Sequence, residues 1–69
     1  MSEHTIIVDV ETKNGRITVE HVIATTLDKH KIMQVVSHYE VLVNDVVKHE
    51  SNDPEDIMRA LGHYIAGLS

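Results

Sequence analysis

Residues 5–26 read TIIVDVETKNGRITVEHVIATT, two β-rich runs set about Asn14-Gly15. Asn-Gly is the strongest short-range hairpin signal, because both residues tolerate positive φ. A two-residue turn at this pair fixes a register. Lys13 then faces Arg16, Thr12 faces Ile17, Val10 faces Val19, Val8 faces His21 and Ile6 faces Ile23. One face of the hairpin collects Ile6, Val8, Val10, Ile17, Val19 and Ile23. The other sets Glu11 beside Thr18, Asp9 beside Glu20 and Ile7 beside Val22. The stretch TTLDKHK is a polar connection.

Residues 54–68, PEDIMRALGHYIAGL, carry a helical pattern with a proper start. Asp53 suits the cap, Pro54 the first helical position, and Glu55 and Asp56 the positive end of the helix dipole. Ile57, Ala60, Leu61, Tyr64 and Ile65 form one apolar stripe. Gly67 suits the end of the helix, with Leu68 folding back over it. Gly62 and Ala66 have a spacing that permits close approach to a sheet or to another helix.

The window 28–49 is ambiguous. A helix would place Ile32, Val35, Val36, Tyr39, Leu42, Val43, Val46 and Val47 on one stripe. A hairpin turning at Asn44-Asp45 would put Met33, Val35, Tyr39, Val41, Val43 and Val46 on one face and Ile32, Val36, Leu42 and Val47 on the other. The density of valine favours a pleated strand, and Asn44-Asp45 repeats the turn chemistry of Asn14-Gly15. A sheet apolar on both faces does not show clean alternation. The expectation is therefore an α+β fold: a four-stranded antiparallel β-sheet made of two hairpins (5–12, 17–26, 31–43 and 46–51) with one C-terminal α-helix packed on one face. A ββαα arrangement is the alternative.

Sixty-nine residues make one domain at most, and a chain this short buries only about 60% of its unfolded surface. The chain has no cysteine, which excludes disulfides, thiolate metal sites and thiol catalysis and suits a reducing cytoplasm. The start, MSEHTIIVDV, lacks the positive charge and the long apolar run of a signal peptide, and no stretch reaches the roughly 20 apolar residues that span a bilayer. A membrane role is not expected.

Eleven acidic residues against six basic ones give a formal charge of −5. That balance opposes direct nucleic-acid binding through phosphates and suits an acidic surface that meets a basic protein. Phe and Trp are absent, so a base-stacking platform is not expected either.

Six histidines stand out: His4, His21, His30, His38, His49 and His63. In the expected register Glu40 faces His49, and His38 lies diagonal to His49, which makes His38, Glu40 and His49 a candidate metal trio. Its spacing matches no established zinc motif, and solvated polar side chains explain it as well. His21 beside Val8 reads as a histidine at the rim of the core. Ser37 and Ser51 sit in no nucleophile context, and no Gly-rich phosphate loop is present. Neither an enzyme nor a cofactor is expected.

One helix covers one sheet face. The opposite face would keep Ile7, Val22, Val36, Leu42 and Val47, a candidate homodimer interface. Asp9, Glu11 and Glu20 are the candidate partner-binding residues. The expected function is a non-enzymatic, small acidic protein-interaction module. A dimeric cytosolic regulator or inhibitor acting on a basic surface fits, including the short acidic proteins that phages direct against host machinery. A histidine-based metal-binding or pH-sensing module is the alternative. Protonating all six histidines would take the formal charge from −5 to +1.

Overall fold

The computed structural model describes residues 2–68. Four strands follow one another: β1 (Ser2–Thr12), β2 (Gly15–Leu27), β3 (Met33–Val43) and β4 (Val46–Ser51). They pair in sequence order as an antiparallel meander. The C-terminal helix α1 (Pro54–Leu68) packs on one face. The expected α+β arrangement is the observed one.

Asn44 and Asp45 settle the ambiguous window. Both have positive φ (51° and 68°), the signature of a primed two-residue turn. We expect Asp45→Gly to leave stability unchanged or to raise it by up to about 1 kcal/mol, since glycine accepts this backbone without strain. A urea melt showing clear destabilisation would contradict the turn.

The first hairpin turns differently from expectation. Its turn residues are Lys13 and Asn14, and Thr12 pairs with Gly15. The Thr12 hydroxyl pins the turn, donating to the Gly15 carbonyl (2.9 Å) and accepting from the Asn14 amide (3.2 Å). Asn14 is used elsewhere: its Nδ2 donates to the Leu68 carbonyl at 2.6 Å, satisfying a free carbonyl at the helix C-terminus. Gly15 is needed for close approach. A Cβ there would lie 3.1 Å from the Asn44 side chain and 3.2 Å from Leu68 Cδ1. The two turns and the helix end thus form one junction, closed by Asn44, whose Oδ1 accepts from the Arg16 amide at 3.0 Å.

This turn moves the register by two. Val10 faces Ile17, Val8 faces Val19, Glu11 faces Arg16, and Asp9 faces Thr18 rather than Glu20. A β-bulge then falls between Ile6 and Val8. Beyond it Ile6 faces Glu20, Thr5 faces His21 and His4 faces Val22. The extra residue changes which side chains meet which face. Ile7 joins Val8, Val19, Tyr39, Pro54, Ile57 and Met58 around a small cavity on the helix side. Ile6 takes the place opposite the helix that was expected for Ile7.

The β2–β3 connection is built by Asp28. Its carboxylate accepts from the amides of His30 (2.8 Å) and Ile32 (2.9 Å), and Lys31 takes positive φ (62°). At the helix start Asp53 acts as expected, accepting from the Glu55 amide at 3.0 Å. Gly67 does not end the helix, which runs to Leu68. Gly62 has open space where a Cβ would stand, so it serves no close approach to the sheet.

The core lies between helix and sheet: Ile17, Val19 and Val41 below, Ile57 and Leu61 above. Thirteen residues of β2 span about 43 Å, while the fifteen-residue helix spans only about 22 Å. The helix therefore covers the half of the sheet near the two tight turns. The other half projects as an uncovered arm, and the molecule measures 49 × 20 × 15 Å.

Candidate functional site

The face opposite the helix carries the arrangement with most chemical content. Glu20 of β2 faces Glu40 of β3, and Glu40 faces Glu50 of β4. Three glutamates thus form one rung across the sheet. The second rung member was expected to meet His49. A bulge between Val41 and Leu42 advances β4 by one residue, so Glu40 meets Glu50, and His49 faces Val41 on the helix side.

Two histidines flank the rung. His4 Nδ1 lies 3.2 Å from Glu20 Oε1. His38 Nε2 lies 3.1 Å from Glu40 Oε2 and 3.8 Å from Glu50 Oε1. Ligand atoms of His38, Glu40 and Glu50 fall within 4.8 Å of one another. One nitrogen and two carboxylate oxygens at that spacing form a donor set that zinc accepts. The expected trio of His38, Glu40 and His49 is not brought together. His49 Nε2 instead bonds Asp56 Oδ2 of the helix at 2.9 Å. The expected register holds only for two bulge-free strands, and nothing in the residue types marks the bulge.

The candidate acids Asp9, Glu11 and Glu20 do not act as one free patch. Arg16 grips Asp9 with two bonds, Nε to Oδ1 at 2.8 Å and Nη2 to Oδ2 at 2.6 Å. Glu11 is the strand partner of the same arginine. Only Glu20 belongs to the glutamate rung. The expected repulsion of Asp9 by Glu20 is replaced by an ion pair, so Asp9→Lys would remove a favourable contact.

The Arg16 bonds hold the Asp9 carboxyl below its ordinary value of 3.8. Bonds from His49, then Ser51, do the same for Asp56. A lowered folded-state value means the folded form binds its proton more weakly than the unfolded chain. Stability from these groups is present above the ordinary value and is lost as pH falls below it. We expect the urea midpoint to drop on acidification below about pH 4, and Asp9→Asn to make that drop shallower. An identical acid limb in the variant would contradict the pairing.

The candidate interface residues are also redistributed. Val22 and Leu42 lie opposite the helix but are only 5% and 8% exposed. Val36 and Val47 remain about half exposed. The surplus apolar surface is concentrated in the arm, on Ile6, Leu27, Ile32, Met33, Val35 and Val36. His21 sits at the rim of the core as expected, but it stacks on Tyr39 (ring centroids 4.9 Å apart) and faces Thr5 instead of Val8.

The helix is the sole helix among the described residues, and it is not long and apolar enough to cross a membrane. The chain matches no family model, no curated protein and no solved structure.

Proposed function

We propose that this chain is a non-enzymatic protein-interaction module: a small acidic cytoplasmic regulator or inhibitor that acts as a homodimer and docks on a basic surface of a partner protein. The observation that carries the reading is the rung Glu20–Glu40–Glu50. Like charges directly opposite in a sheet are destabilising. The rung has no lysine or arginine bonded to it among the described contacts; only His4 and His38 approach it. A lysine- or arginine-rich surface would relieve that repulsion on binding and would be steered toward it. Asp9 and Glu11, near the rung on the same sheet face, extend the acidic surface around Arg16. The size and charge suit the short acidic proteins that phages make against host machinery. Capture from extract of the native host, with parent and rung-neutralised baits, tests the reading.

A second reading is favoured by the convergence of His38, Glu40 and Glu50. The same rung would serve as a histidine-based metal-binding or pH-sensing site, in which a cation or protons neutralise the glutamates. Zinc titration followed by the His38 ring signals tests it. Shifts that saturate near one equivalent support the site, and unchanged signals reject it.

A further inference from the structure

A sheet with a one-sided helix has edges, and its edges differ in how they are protected. The β1 edge carries Glu3, Asp9 and Glu11 and is interrupted by the bulge at Ile7. The β4 edge is six residues long, bulged, and carries Lys48 and Glu50. Charges, bulges and short length are the devices that keep edge strands from pairing with other chains.

A third edge, equally short, has neither acidic or basic charges nor a bulge. β4 pairs with β3 only from Tyr39 to Val43. Residues 33–38 of β3, MQVVSH, pair with β2 on one side and with no described strand on the other. This segment contains no Lys, Arg, Asp, Glu, Pro or Gly. Met33 and Val35 are each 66% exposed and Val36 is 52% exposed. Every second residue turns its backbone N–H and C=O outward, ready for a ladder.

The size of the exposed surface points to the occupant. The chain exposes 4982 Å², whereas a folded monomer of 7.8 kDa exposes about 4,400 Å². The Cα radius of gyration is 14.1 Å, against about 11 Å for a compact chain of this length. The excess of roughly 600 Å² per chain approaches the roughly 800 Å² that each partner contributes to a standard interface. An antiparallel edge of this kind is complementary to itself, which is the requirement of a two-fold contact.

We propose that two copies of this chain pair antiparallel along residues 33–38 of β3, forming one eight-stranded sheet. The proposal rests on the homodimer part of the reading above and names its seam. Residues opposed in a continuous sheet must share a face, so the two-fold axis passes through a residue, Val35 or Val36. With Val35 on the axis, Val35 faces its own copy, Gln34 faces Val36 and Met33 faces Ser37. β4 ends at Ser51, opposite Tyr39, which leaves a slot that fits this overlap. Both helices then lie on one side of the joint sheet and both glutamate rungs on the other, so the dimer presents two acidic rows to one partner surface.

The absence of native cysteine makes single-cysteine variants clean probes. With a short bis-maleimide, Val35→Cys and Val36→Cys are expected to cross-link into covalent dimers, and Val47→Cys to remain uncross-linked. In light scattering the parent is expected at twice 7.8 kDa, and Val35→Lys at the monomer mass with its circular dichroism retained. A parent that stays monomeric at high micromolar concentration overturns both this seam and the homodimer. A parent dimer that Val47→Lys dissociates and Val35→Lys does not, with cross-linking only at Val47→Cys, overturns the seam and leaves the homodimer standing.

Discussion

Leu61→Ala is expected to remove about 2–5 kcal/mol of stability, a large share of the roughly 3–10 kcal/mol that a domain of this length possesses. The helix sends only Ile57 and Leu61 into the fully buried core, where they meet Ile17, Val19 and Val41. Truncating one of five core side chains leaves a cavity that a rigid sheet closes poorly. The partly buried Tyr64, Ile65 and Leu68 pack around the same spot and would loosen with it. Equilibrium urea unfolding measures the loss. A cost under about 1 kcal/mol would mean that the helix is not seated on the sheet as described.

The second large effect concerns the glutamate rung. Replacing Glu20, Glu40 and Glu50 together by glutamine removes two directly opposed like-charge pairs while keeping side-chain volume. Cross-strand pairs contribute about 0.2–1 kcal/mol each, so the triple variant is expected to be more stable than the parent by up to roughly twice that. The gain comes with a functional loss. Association with a basic partner is expected to slow by about tenfold or more at low ionic strength, and by much less at high ionic strength. Stability and binding moving in opposite directions distinguish a docking surface from an ordinary solvated face. A variant that is more stable and associates as fast as the parent would leave the rung with no role in recognition.

Much of the fold was legible in the residues. Asn44-Asp45 between apolar dipeptides marked the second hairpin against a competing helical count, because valine packs better on a pleat than in a helix. Asp53-Pro54 marked the helix start. The site was less legible, and the reasons are local. Asn14-Gly15 looked like a primed turn, yet Asn14 is recruited to the helix C-terminus and Gly15 is needed for its close approach to Asn44 and Leu68. That tertiary demand shifted the register and parted Asp9 from Glu20. The bulges near Ile7 and Lys48 carry no glycine or other residue-type signature, and each moves the side chains on its far side from the hairpin turn by one position. One of them exchanged Ile7 for Ile6, and the other exchanged His49 for Glu50. The acidic rung was therefore assembled from three strands whose registers had to be seen. The uncovered arm follows from a comparison of lengths, a long β2 against a short α1, once both ends of β2 are known.

The claim that the Glu20–Glu40–Glu50 row is a protein-docking surface is tested most directly by paired capture from native host extract. The parent and the triple glutamine variant serve as baits at matched folded concentration, each at low and high ionic strength. The expected result is a basic protein retained by the parent at low ionic strength, weakened by salt, and lost with the triple variant. The same protein retained equally by both baits would contradict it.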